Sequence, residues 1–257
     1  MSSSELYRKM ALIRPDWRDD PDFTSFLQRF RLTGEELPPG ATSSEASIVR
    51  KSKRWMVSQL IRLTEGINGD TAECGVWEGS TSWIICSFLA HRSDLNKRHH
   101  LFDSFEGISE PGSFDGECWR EGDFQASQEV VADNLSAYRG ICRFHRGWIP
   151  DRFPDVASLT FSFVHLDVDL YEPTKASLEF FYDRLNPGGV LVCDDYGANL
   201  TPGATKAMDE FLDGRPESVV ACDASGGFLI KGVMVGPKPP LGLDPPSDSR
   251  SFSVEMK

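Results

Sequence analysis

Along the 257 residues the spacing of apolar positions changes character once, near Gly69. Before that point apolar residues recur at helical intervals: amphipathic fragments run over Leu6 to Ile13 and Phe23 to Leu32, and Val49, Met56, Leu60 and Leu63 mark a longer stretch. Thr42 followed by Glu45 has the pattern of a capping box, which predicts a long helix ending at Gly66. After Gly69, short apolar runs alternate with helical segments: Thr71 to Val76, His100 to Phe105, Ile141 to Gly147, Phe161 to Asp169 and Val190 to Asp194. That alternation predicts an α/β fold built on a parallel sheet. The order breaks near the end. Ser218 to Cys222 and Gly227 to Lys231 are joined by Asp223-Ala224-Ser225-Gly226, too few residues for a crossover, so the last pair should be an antiparallel hairpin. Residues 1–65 then form an N-terminal helical extension or lid and 66–234 one α/β domain. Residues 235–257, rich in Pro and Ser, form a tail that is disordered or wraps a neighbour.

Composition narrows the partners. A net charge of −12 without a basic stripe argues against nucleic acid, whose binding draws on clustered Lys and Arg. The one basic cluster, Lys97 to His100, reads as a solvated loop before a strand. No apolar run approaches the ~18 residues a membrane span needs, and Met1 to Lys9 lacks the apolar centre of a secretion signal. A cytoplasmic protein with no membrane partner is expected. The six cysteines show no metal or redox spacing, so reduced thiols are the expectation. The two extensions leave a homo-oligomer open.

In an open parallel sheet ligands bind outside the carboxyl ends of the strands, and here those ends are polar. The first ends in Glu73-Cys74-Gly75-Val76-Trp77-Glu78-Gly79-Ser80, with Thr81 entering a helix. Gly75 and Gly79 let a ligand approach the backbone, and free amides at the helix start favour an anionic group; simple strand-to-helix packing explains them equally well. The second ends in Asp103-Ser104-Phe105-Glu106-Gly107, where an acid holds ribose hydroxyls in nucleoside-binding sheets. The third ends at Gly147-Trp148, whose ring could stack on a base or fill the core. The fourth and fifth carry Asp167 and Asp169, then Asp194 and Asp195. A right-handed crossover would bring Asp167 and Asp194 together, and crowded carboxylates call for a cation. Magnesium on Asp167, Asp194 and Asp195 is the economical answer. The bland alternative has Asp195 capping a turn and Asp169 facing solvent or capping the next helix. His165 points to the same side as Asp167 and is either a base or a hydrogen-bonded core histidine.

Four motifs in order carry a resemblance: Ala72-Glu73-Cys74-Gly75-Val76-Trp77 with Gly79; Leu101-Phe102-Asp103-Ser104-Phe105-Glu106-Gly107; His165-Leu166-Asp167-Val168-Asp169-Leu170-Tyr171-Glu172; and Pro187-Gly188-Gly189 leading to Asp194-Asp195-Tyr196-Gly197. Together, over about residues 66 to 212, they resemble the macrocin O-methyltransferase family, whose members methylate sugar hydroxyls of macrolide and aminocoumarin antibiotics. The resemblance implies a Rossmann-like class I methyltransferase fold of seven strands, the last antiparallel, and S-adenosylmethionine as cofactor. It implies that Glu73 and Gly75 approach the methionine part of the cofactor, that Asp103 takes the ribose, and that Asp167, Asp194 and Asp195 bind magnesium. The carboxylate matching Asp167 would be the base, on a small-molecule acceptor with neighbouring hydroxyls. Two other readings are a nicotinamide-dependent oxidoreductase, which would show G-x-G-x-x-G at the first turn, and a non-catalytic protein that keeps the binding sites.

Overall fold

The apolar runs after Gly69 become the parallel part of one sheet in the computed structural model, which describes residues 21–30, 43–91, 96–222 and 226–236. For residues 21, 22 and 43–49 it describes the backbone alone. The strands are β1 (Asp70–Cys74), β2 (His99–Asp103), β3 (Cys142–Arg146), β4 (Phe161–Leu166) and β5 (Leu185–Cys193), followed by β6 (Val220–Ala221) and β7 (Gly227–Ile230). Their order across the sheet is β3-β2-β1-β4-β5-β7-β6. β1 to β5 pair in parallel, while β7 runs antiparallel to both β5 and β6. The expected hairpin is therefore present, and β7 inserts between its partner and the parallel strands.

Six α-helices are described: α1 (Pro21–Arg29), α2 (Ser43–Leu60), α3 (Ser80–Ala90), α4 (Gln128–Asn134), α5 (Tyr171–Arg184) and α6 (Pro202–Leu212). Both sheet faces are covered, which is why the central strands are apolar on both sides rather than alternating with polar residues. On one face Ala72, Cys74, Val164, Leu166, Leu191 and Cys193 pack under Leu178 and Phe181 of α5 and Ala204, Ala207 and Met208 of α6. On the other, Phe163, Val190 and Val192 lie beneath Phe23, Phe26 and Leu27 of α1, Val57 and Leu60 of α2, and Ile84, Ile85 and Leu89 of α3. Each such side chain contributes roughly 1.5–3 kcal/mol by leaving water. The described part of the N-terminal extension thus shares a core with the α/β domain. Among the described residues no helix is long and apolar enough to cross a membrane.

Two expectations change. α2 is phased about one residue away from the predicted stripe: Val57 and Ile61 are buried, whereas Leu63 is 53% exposed. The Lys97 to His100 segment is not a solvated loop. Lys97 is buried with its ammonium on the Ile67 carbonyl and the Ser162 hydroxyl, and His99 and His100 are buried in β2. Trp119 and His145 find partners, the indole N–H donating to the Leu200 carbonyl and the imidazole lying between His100 and Asp155. The Leu6 to Ile13 fragment, the Thr42–Glu45 capping box and nearly all of the tail lie outside the described residues and side chains. The helix stop at Gly66 is seen: a 3₁₀ turn at Ile61–Thr64 follows α2, and Gly66 takes φ +80°.

Candidate active site

Alternation along the strands decides which charged side chains meet. Since Cys74, Leu166 and Cys193 point toward α5 and α6, Glu73 and His165 point toward α2 and α3. The two are register partners across β1 and β4. Glu73 is 1% exposed; its Oε2 accepts the Ser82 hydroxyl of α3 and lies 3.6 Å from His99 Nε2, and its Oε1 is 3.2 Å from His165 Nδ1. The opposite ring nitrogen, Nε2, is 3.4 Å from Asp194 Oδ1. Both contacts are too poorly aligned for good hydrogen bonds, and the two ring nitrogens and Asp194 Oδ1 are buried without hydrogen-bond partners. Charge holds them instead. Burial alone would discharge His165, but the Asp194 and Glu73 carboxylates outweigh it and push its pKa up to about 10. Burial would likewise raise Glu73, and His165 with His99 reverses this and holds it down to about 2. Lying between two carboxylates, the imidazole is favoured in its charged form, which suits it to balance Glu73 and Asp194.

Leu166 of β4 and Cys193 of β5 are register partners, so the next residues leave the sheet side by side. Asp167, Asp194 and His165 consequently offer ligand atoms within 4.8 Å of one another. Asp167 is the open member, with its side chain 25% exposed. Asp195 follows, with Oδ2 accepting the Asp169 amide at 3.0 Å and its carbonyl accepting the Thr201 hydroxyl at 3.0 Å. Burial, then the Asp167 charge, pushes Asp195 up to about 7. Two cations of α2 enter the same crevice. The Lys53 ammonium is 2.7 Å from Asp194 Oδ2, and the Arg54 guanidinium is 3.8 Å from Asp167 Oδ2 and 3.9 Å from Asp194 Oδ1. Arg54 Nε also donates to Ser80 Oγ at the start of α3, at 3.0 Å. Burial disfavours the Asp194 charge, but Lys53, His165 and Arg54 overcome this and hold the carboxyl far below its usual range.

The candidate cofactor residues divide. Gly75, at φ +80°, is obligatory because a Cβ there would fall 1.8 Å from the Asp167 carbonyl oxygen. Gly79, at φ +85°, begins α3 with no side-chain cap, and a Cβ would meet Val131 of α4 at 3.1 Å. Ser80 and Thr81 are buried at that helix start. The Asp103 carboxylate accepts the amides of Val76 (2.7 Å), Trp77 (3.1 Å) and Phe105 (2.7 Å), tying the first turn to the second. Ser104 folds its own turn, donating to the Gly107 carbonyl and accepting the Glu106 amide. The side chains of Cys74 and Phe105 belong to the core, the first under α5 and the second beside α4, which leaves their backbone to face a cofactor. Gly147, at φ +140°, lies against Arg152, and Trp148 is 38% exposed at the same edge of the sheet.

Lys53, Arg54, Ser82 and His99 were missed by sequence reasoning. A signal for the first two exists: Arg50, Lys53, Arg54, Val57, Leu60 and Ile61 follow helical spacing, a basic stripe continuous with an apolar one.

A sheet ordered β3-β2-β1-β4-β5-β7-β6 with β7 reversed, helices on both faces and acidic strand ends at one crevice defines a class I, Rossmann-like methyltransferase. The structure of the O-methyltransferase NovP superposes with a TM-score of 0.64 at 26% identity, over 79% of this chain and 88% of that one. Residues 21–229 match the macrocin-O-methyltransferase (TylF) family, and the chain belongs to it. It is 35% identical, over 65% of its length and 67% of the relative's, to the 8-demethyl-8-(2,3-dimethoxy-alpha-L-rhamnosyl)-tetracenomycin-C 4'-O-methyltransferase of Streptomyces olivaceus. It is 27% identical to the mycinamicin III 3''-O-methyltransferase of Micromonospora griseorubida, over 79% of this chain and 84% of that one. Membership makes the chain an enzyme that methylates a hydroxyl, and removes the oxidoreductase reading.

Proposed function

We propose that the chain transfers a methyl group from S-adenosylmethionine to a hydroxyl of a sugar or other vicinal diol on a small natural product, with magnesium at Asp167, Asp194 and Asp195. The observation that carries this is the convergence of the β4 and β5 ends, which sets two carboxylates side by side in the crevice where such sheets bind ligands. The printed names of two relatives, a rhamnosyl-tetracenomycin and a mycinamicin methyltransferase, support the acceptor class.

The donor set fits a hard divalent ion. Asp194 Oδ1 is a buried oxygen without a hydrogen-bond partner, and Asp167 and Asp194 offer ligand atoms within 4.8 Å of one another; Asp195 lies outside that group, its Oδ2 on the Asp169 amide. Opposite corners of a magnesium octahedron are about 4.2 Å apart, so a contraction of a few tenths of an ångström suffices. When bound, magnesium would orient two neighbouring acceptor oxygens and lower the proton affinity of a hydroxyl. S-adenosylmethionine supplies an electrophilic methyl for in-line displacement, a reaction governed mainly by alignment.

The chain's own residues do the rest. Asp167, the open carboxylate of the group with its side chain 25% exposed, is placed to take the acceptor proton. His165 and Glu73 hold Asp194 from beneath and keep it ionised. The turn from Gly75 to Gly79, with Ser80 and Thr81, receives the carboxylate end of the cofactor, Asp103 and Ser104 its ribose, and Trp148 and Gly147 its base.

The test is incubation with S-adenosylmethionine and a panel of rhamnosylated acceptors, with chelator and then with added magnesium, following S-adenosylhomocysteine and the methylated product. Full turnover in chelator sinks the metal assignment. Turnover confined to carboxylate acceptors sinks the hydroxyl assignment.

A further inference from the structure

Resting on the proposed metal site, we infer that Lys53 is the counter-ion of the crevice in the metal-free protein and has to leave Asp194 before a divalent ion can enter. Lys53 is then a positioning residue, through which α2 sets the metal affinity. Its ammonium bonds Asp194 Oδ2 at 2.7 Å, with the two side chains only 13% and 4% exposed. Such desolvated, charge-assisted hydrogen bonds are the strong ones. The other oxygen of Asp194 faces His165 Nε2 at 3.4 Å and Arg54 at 3.9 Å. Every approach to this carboxylate is thus lined with positive charge. An ion on Oδ1 would share the carboxylate with the ammonium on Oδ2, and an ion on Oδ2 at about 2.1 Å would stand within about 5 Å of Nζ; like charges that close inside a crevice repel strongly.

The two cations of α2 are not equivalent. Arg54 is anchored to Ser80 by its Nε and touches the carboxylates only at 3.8 and 3.9 Å, so it can stay while an ion binds. Lys53 has no other hydrogen bond among those formed by the described residues, and its flexible four-carbon stem lets the head swing away. Metal entry therefore exchanges one partner of Asp194 for another rather than filling an uncompensated acidic hole.

Calorimetric titration of Mn²⁺ into the wild-type chain, Lys53→Met and Lys53→Arg, without acceptor, tests the exchange. Lys53→Met should bind Mn²⁺ tighter by about tenfold or more, the strength of one charge-assisted hydrogen bond, and Lys53→Arg no tighter than wild type. A second measurement needs no variant: acylation of the wild-type chain by an N-hydroxysuccinimide ester, read by mass spectrometry with Lys51 as reference. Lys53 should be protected without metal and become labelled as Mg²⁺ is added. Equal Mn²⁺ affinity in wild type and Lys53→Met, or labelling of Lys53 indifferent to Mg²⁺, overturns the exchange and leaves the metal site standing. Absence of Mn²⁺ binding in all three proteins overturns both.

Discussion

Glu73→Gln separates two roles for the acid at the end of β1. As a cofactor ligand, Glu73 would lose S-adenosylhomocysteine affinity on neutralisation while the fold stood unchanged. The structure instead makes it a buried counter-charge: 1% exposed, with one oxygen on Ser82 and the other 3.2 Å from the fully buried His165. Gln keeps the shape and removes the charge, leaving the imidazolium facing Asp194 alone. Removing one partner of a buried ion pair costs about 3–5 kcal/mol, a large part of the roughly 5–15 kcal/mol that holds a domain folded. For a chain of this size that corresponds to a fall in Tm of roughly 6–20 °C. Urea denaturation of the wild type, Glu73→Gln, His165→Gln and the double variant measures it. The double variant should be less damaged than the sum of the single ones, because each removes what the other needs. A loss below about 1 kcal/mol in Glu73→Gln, or strict additivity, would refute the ion pair.

Other consequences are open to direct measurement. Gly75→Ala forces a side chain into a left-handed backbone and onto the Asp167 carbonyl, 1.8 Å from the new Cβ. It should cost about 2–5 kcal/mol in urea denaturation and weaken Mn²⁺ binding together, and a neutral substitution contradicts the packing. Asp194→Asn should lower Mn²⁺ affinity by more than the roughly 10–100-fold typical of outer-shell partners, with S-adenosylhomocysteine affinity nearly unchanged in calorimetry. Burial holds His99 and His145 below the ordinary imidazole value of about 6.5, so the unfolded chain takes up their protons first as the pH falls. Their contribution is present above 6.5 and lost on acidification through the lower folded values, and urea midpoints should fall below pH about 6.5, less steeply in His145→Phe. A flat profile, or identical slopes in the two proteins, would contradict this.

What could be read in advance followed from periodicity and topology. Strand runs, the closing hairpin and the pairing of Asp167 with Asp194 depend on local patterns and on the handedness of crossovers, and all are present. The α2 contribution was only half legible: a helix phased on Val49, Met56, Leu60 and Leu63 keeps Lys53, four residues after Val49, beside that stripe and turns Arg54 away from it. The buried stripe is centred on Val57 and Ile61, a rotation of about 100° that carries Arg54 into the crevice while Lys53 stays beside the stripe. His165 was ambiguous for a different reason. Whether an imidazole is base or cation depends on what lies on either side, and Glu73 and Asp194 come from strands 92 and 29 residues away in sequence.

These charges alter what an acidic crevice implies. Three carboxylates at strand ends demand positive charge, and from sequence alone a metal was its only evident source. The fold supplies three cations of its own: Lys53 and Arg54 from α2 and the His165 imidazolium from β4. Charge balance alone therefore does not call for magnesium. What does favour it is the chemistry of the reaction edge, where Asp167 stays open with Arg54 beside it at 3.8 Å, while Lys53, His165 and Arg54 all approach Asp194. On the proposed function, an acceptor diol reaching the crevice would meet one open carboxylate, Asp167, and another already paired with cations, Asp194. Activation of the hydroxyl then needs a cation that can move into contact with substrate oxygen, which His165, fully buried, and Arg54, anchored to Ser80, are not placed to provide. Lys53 and an incoming divalent ion are the two candidates left, and in the proposed exchange they compete for one carboxylate, Asp194.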